Sequence, residues 1–166
     1  MKKILFYSMM LITLMLTSCS SSKNISSYAK QYEVETLGVG TDGTYLIKVT
    51  DYFSTTDEEV YLDGLKKDAV HCVIYRGIPA GNGSMKQPAL ITGDTDVEGN
   101  EATLNIFFEQ KLYLNFINAV VNSSKTITKI SGSKYYKIGV GISVNKDELR
   151  KYLIDNNIIK PLNYLF

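Results

Sequence analysis

The first nineteen residues decide how much of this chain is left to fold. Met1-Lys2-Lys3 is a short basic head. Ile4 to Leu16 is an almost unbroken apolar run, and Thr17-Ser18-Cys19 follows it with two small residues and a cysteine. The run is about 13 residues, short of the ~20 that a helix needs to cross a bilayer. A basic head, a short apolar run and a small-residue exit read as a secretory signal peptide, which the mature protein lacks. The foldable chain therefore begins after Ser18.

The stretch Leu16-Thr17-Ser18-Cys19 resembles the lipobox of bacterial lipoproteins. The resemblance implies a diacylglycerol on the Cys19 sulfur, cleavage just before Cys19 and acylation of the new amino group. The alternative is an ordinary signal peptide with an incidental cysteine. One acyl chain gives only marginal membrane binding at about 0.8 kcal/mol per buried methylene, and stable anchoring takes two or more. Loss of Cys19 is thus expected to turn a membrane protein into a soluble one. By the same resemblance, Ser20 in place of an aspartate implies the outer membrane. The lack of an acidic cluster over Ser20 to Asn24 implies the periplasmic face.

Three segments follow from this reading: a cleaved signal peptide over 1–18, an acylated Cys19 with a tether over 19–30, and one globular domain over 31–166. The tether is small and polar and cannot pack a core. The mature chain of 148 residues suits a single core. Removing Lys2 and Lys3 turns the net charge of +1 into −1, a mixed balance that argues against nucleic acid and offers no overall attraction to an anionic surface. If Cys19 is lipidated, Cys72 has no partner for a disulfide within the chain.

The domain reads in order. Tyr32, Val34 and Thr36 alternate with Glu33 and Glu35, a half-buried strand, and Thr44 to Val49 is another. Ser54 to Glu59 starts a helix, with Thr55 and Glu58 or Thr56 and Glu59 as a capping box. Val60, Leu65, Ala69, Val70, Cys72 and Val73 recur near helical spacing, with Lys66, Lys67 and Asp68 outward. Gly77 and Pro79 end that helix. Ile78 to Glu101 is irregular, and the Gly/Pro loop Gly77 to Glu101 is a contact candidate. Ala102 to Val121 reads as one or two short helices with an aromatic core stripe, and Ser123-Ser124 breaks the pattern. Thr126 to Ile130 and Tyr135 to Val144 are strands. In the second, Gly139 and Gly141 face one side, which predicts a helix or another backbone packed close there. Asn145 caps a last helix carrying Leu149 and Leu153, Asn156-Asn157 ends it, and the apolar tail Ile158 to Phe166 is expected to dock on the domain. The order predicts an α+β fold: an antiparallel sheet of about four strands, made of two hairpins, with two to three helices packed on one face.

This layout resembles small domains in TolB-like and flagellar-assembly envelope proteins. The mature chain also looks like envelope lipoproteins of Bacteroidota over Gly38 to Ala80 and Tyr136 to Lys160. Neither resemblance implies an activity.

Chemistry is sparse. Gly38-Val39-Gly40-Thr41-Asp42-Gly43 matches a dinucleotide-loop pattern, but it runs into a strand and not a helix, so it reads as a turn. His71-Cys72 are neighbours whose side chains diverge on a helix, so a nucleophile–base pair is not expected. Cys72 is expected packed and His71 partly exposed. Asp94, Asp96 and Glu98 begin like a calcium loop, but Asn105 stands where the bidentate glutamate belongs. No cofactor and no metal site is expected, and the chain is read as not an enzyme. The leading expectation is a lipid-anchored envelope protein that binds a partner protein. The alternative is a glycan or peptidoglycan-fragment binder using Tyr45, Tyr52, Tyr75, Tyr135 or Tyr136. A small minority reading is carboxylate catalysis by Asp94, Asp96 and Glu98.

Overall fold

The structure is a computed structural model that describes residues 31–41, 43–92 and 99–161. The expected signal peptide, Cys19, the expected tether, the acidic stretch Asp94 to Glu98 and the tail from Leu162 lie outside the described residues.

The expected α+β architecture is present. Four strands form one antiparallel sheet: β1 (Glu33–Val39), β2 (Thr44–Phe53), β3 (Ile117–Lys129) and β4 (Tyr136–Asn145), in the order β1-β2-β4-β3. Two hairpins, β1–β2 and β3–β4, join where β2 pairs with β4. The helices are α1 (Glu58–His71), α2 (Glu101–Glu109) and α3 (Lys146–Asp155), with a single 3-10 segment over Leu112–Phe116. Helix α1 lies directly on β2 and β4, and α3 packs against β2 and the 3-10 segment.

One face of the sheet makes the core. Ile47, Val49, Ile138, Val140, Ile142 and Val144 are fully buried there, against Tyr61, Leu65, Ala69 and Val70 of α1 and Leu149 and Leu153 of α3. Phe53 at the end of β2 lies against Gly64, where a Cβ would come within 2.8 Å of the ring. Glycine inside a helix costs about 1 kcal/mol against alanine, and here it lets strand and helix approach.

Several local expectations are corrected. The cap of α1 is Asp57, whose Oδ1 accepts from the Glu59 amide at 3.0 Å, so neither threonine box forms. Thr55 instead accepts from the Asp57 amide. Val60 is exposed, and Tyr61 takes its place in the core. Asp68, expected outward, is fully buried. After His71 the helix widens into a π turn over Cys72–Arg76, closed by the Gly77 amide on the Cys72 carbonyl at 2.8 Å. Gly77 sits at φ 75°, the left-handed region that favours glycine.

Residues Ile117 to Val121, read as helical, are the first half of β3. Ser123 and Ser124 do not break the strand but bulge it, between the pairs Val121–Gly141 and Thr126–Gly139. Ser124 Oγ donates to the Val121 carbonyl and accepts from the Gly141 amide, both at 2.6 Å, so a side chain replaces the lost ladder bond. This also corrects the expectation for the two glycines. Among the described residues no helix lies against them. Gly141 admits Ser124 and Leu37, and Gly139 admits the hydroxyls of Thr50 and Thr126.

Candidate functional site

The face of the sheet opposite the core carries no helix among the described residues. By register it carries Glu33 and Glu35 from β1, Lys48 and Thr50 from β2, Lys137, Gly139 and Gly141 from β4, and Thr126 and Thr128 from β3. A groove of about 440 Å³ lies between Glu33, Lys48, Thr50, Thr126, Thr128 and Lys137. Lys137 Nζ donates to Glu33 Oε1 at 2.7 Å, and that bond holds the ammonium above its ordinary pKa. Lys48 makes no ion pair among the described residues. Toward the other end of the strands the lining turns apolar. Val39, Leu46, Ala119 and Val121 surround a second hollow of about 320 Å³. The face can thus offer hydrogen bonds and charge at one end and apolar contact at the other.

A second feature borders this face. The irregular stretch is, in its described part, a fastened hairpin. Ile78 bridges Gln87 and Gly81 bridges Ser84. Leu90 and Ile91 donate to the carbonyls of Val73 and Ile74. Thr36 donates to the Pro79 carbonyl at 2.5 Å, and Asn82 Nδ2 donates to the Thr36 carbonyl at 2.8 Å. The hairpin therefore covers the free edge of β1, one remedy for an exposed strand edge. Lys146, unremarkable in the sequence, is buried and reaches the Pro88 carbonyl at 3.3 Å and Gln87 Oε1 at 3.4 Å. Its burial lowers its pKa, and the nearby Arg150 adds to that. At the hairpin tip Met85 is 81% exposed, and Val39 is a second exposed apolar residue at the end of β1.

Of the residues that suggested chemistry, His71 and Cys72 are turned away from solvent. The pattern Gly38 to Gly43 spans the β1–β2 turn, with the Gly40 amide bonded to the Thr44 carbonyl at 2.8 Å. It opens no helix, as expected. Cys72 is buried and its Sγ donates to the Gly77 carbonyl at 3.1 Å. Burial pushes the thiol up to about 11, with Arg76 pulling weakly the other way. His71, expected partly exposed, is buried. Its Nδ1 bonds the Tyr32 hydroxyl at 2.7 Å, and its ring meets Tyr75 at 4.7 Å. Burial raises the Tyr32 pKa above its ordinary value. Arg76 donates to the Tyr32 carbonyl at 2.8 Å and lies over its ring at 4.6 Å. These contacts form a structural clasp on the start of β1, not a reactive dyad. No group of three metal-ligating side chains occurs among the described residues, and Asp94, Asp96 and Glu98 lie outside them.

The candidate tyrosines do not line one groove. Tyr52 is exposed on the open face, while Tyr136 opposes Phe53 on the helical side. Tyr45 stands near Lys146 and Tyr75 packs on His71. Tyr135 is exposed beyond the end of β4. Sequence reasoning missed the open face because register is needed to see it: the threonines and lysines come from strands far apart in the chain.

No family model, no curated protein and no solved structure matches this chain.

Proposed function

We propose that the chain is a lipid-anchored, non-catalytic protein of the cell envelope that holds a partner protein in an envelope assembly. The observation that carries this reading is Leu16-Thr17-Ser18-Cys19 behind a basic head and a short apolar run. Cys19 is the lipidation residue, and the location that fits Ser20 and its neighbours best is the periplasmic face of the outer membrane. No helix of the described residues is long and apolar enough to cross a membrane. The burial of His71 and Cys72 also supports a binding role over catalysis. The open sheet face and the adjoining tip at Met85 supply the contact, with polar groups at one end and apolar ones at the other.

The test is in-cell crosslinking of the full chain, then identification of co-purified proteins, with Cys19→Ala and Met85→Asp as variants. One stoichiometric envelope partner, weakened by either substitution, is the expected result. Absence of any partner above background would overturn the assembly reading.

A further inference from the structure

The near-neutral total hides a segregation of charge. From Gln110 to Lys146 the sequence holds Lys111, Lys125, Lys129, Lys134, Lys137 and Lys146 and no carboxylate side chain. Most of this stretch is the β3–β4 hairpin. Its turn, Ile130 to Tyr135, is closed by the Ile130 amide on the Tyr135 carbonyl and the Ser133 amide on the Ile130 carbonyl, both at 3.1 Å, with Gly132 at φ 72°. Lys129 pairs with Tyr136 and Tyr136 pairs with Phe53, the last residue of β2, so the turn projects past the end of the sheet.

The same end of the sheet is where the chain enters the domain. Glu33 pairs with Thr50, which pairs with Gly139, so residues just before Glu33 come level with the base of this hairpin. Twelve peptide steps from Cys19 to Gln31 span at most about 40 Å. An acyl chain on Cys19 therefore keeps Gln31 within about 40 Å of the bilayer.

Acidic groups at this end are Glu33, Asp51, Asp57, Glu58 and Glu59. Glu33 is bonded to Lys137 at 2.7 Å, and Glu58 is 3.8 Å from Lys125. Asp57 caps α1 and Asp51 accepts from the Tyr52 amide. The projecting turn itself carries only Lys129 and Lys134 at its margins, each over a tyrosine ring, Tyr136 and Tyr135. Tyr135 and Tyr52 are exposed. Lysines on long apolar stems and half-exposed tyrosines are the side chains that settle at a headgroup layer.

We propose that the tip of the β3–β4 hairpin, Lys129 to Tyr135, contacts the anionic headgroups of the membrane that bears the lipid anchor. It is a second attachment and fixes how the domain stands on that membrane. The open face then points sideways and remains free for a partner. This inference rests on the anchored reading of Cys19. Each lysine held near an anionic surface strengthens binding about fivefold at low salt, and the attraction fades once salt shortens the screening length.

The experiment uses the purified acylated protein in vesicles, with an environment-sensitive dye on Ser133→Cys or, as the control at the opposite end, on Thr41→Cys. Buried Cys72 does not compete for the dye. In vesicles containing phosphatidylglycerol the dye at 133 shifts to the blue and is quenched by a lipid-borne quencher, while the dye at 41 is unchanged. The shift at 133 disappears in phosphatidylcholine alone, in high salt and in Lys129→Ala/Lys134→Ala. Equal signals at both sites, or a signal at 133 indifferent to lipid charge, overturn the proposal. Intact mass of the same sample reports acylation separately. If Cys19 carries no acyl chain, the anchored reading fails by itself. The non-acylated chain is then titrated with anionic vesicles: binding weakened about fivefold per lysine removed upholds the tip contact, and no binding overturns it.

Discussion

Cys72 is the residue whose chemistry the fold most clearly suppresses. Its thiol is buried, donates to the Gly77 carbonyl and is pushed up to about 11, so little thiolate forms near neutrality. The native protein should resist alkylation at Cys72 and react fully once unfolded, as a thiol-specific reagent with and without denaturant will show. Fast labelling of the native chain would contradict this. Asp63 behaves differently. Partial burial alone would raise its pKa, but hydrogen bonds from Lys111 and Tyr113, at 3.0 and 2.9 Å, outweigh that and hold it below the ordinary carboxylate value. A depressed acid contributes stability above its unfolded value near 4 and loses it as pH falls through the folded value. Tyr113→Phe is therefore expected to cost about 1 kcal/mol at neutral pH and less as acid protonates the carboxyl. Urea denaturation at neutral pH and through an acid series checks the sign. The sequence told that Cys72 would be packed, because it lies on the apolar side of a helical repeat. It could not tell that His71 is buried too. That depends on Tyr32, which is 39 residues away and meets it by a hydrogen bond and a T-shaped ring contact.

Elements were legible where their periodicity was long. The alternation of Tyr136 to Val144 and the Asn145 cap, whose Oδ1 accepts from Glu148 at 3.1 Å, need no tertiary knowledge. Asn145→Ala should destabilise by about 1 kcal/mol, read as a lower midpoint in chemical denaturation with an unchanged slope. Ile117 to Val121 was not legible. Ile117 and Val120 have the spacing of a helical stripe and share a strand face only because a bulge lies between them, which pairing with β4 alone reveals. Ser123-Ser124 misled for a related reason. Serine reads as a breaker when its hydroxyl has no visible partner, but Ser124 Oγ lies 2.6 Å from the Gly141 amide. Ser124→Ala leaves that amide without its partner, an expected cost of about 1–3 kcal/mol. Ser124→Thr, which keeps the hydroxyl, should recover part of it. If Ser124→Ala is as stable as the parent, the bulge is held by something else.

At the scale of the whole molecule, the fold gives the two ends of the sheet different characters. One end receives the chain from the tether and carries the lysine-bearing hairpin tip. The other holds the β1–β2 turn, where the Lys146 amide donates to the Gly43 carbonyl at 3.1 Å. Between them the open face runs from polar to apolar, bordered by the fastened hairpin with Met85. The α+β class was readable from the order of elements, but the open face was not. Its groove draws on side chains of all four strands, with Gly139 of β4 between Thr50 of β2 and Thr126 of β3, and a net charge near zero concealed the lysine-only stretch. In the proposed function attachment comes first, since an acyl anchor on Cys19 would determine which partners the face can meet. The direct measurement is the intact mass of the protein extracted from membranes, beside Cys19→Ala. The account predicts a chain that begins at Cys19 and carries three acyl groups, and a Cys19→Ala chain without them. A mature chain that begins elsewhere, or an unmodified Cys19, would contradict it.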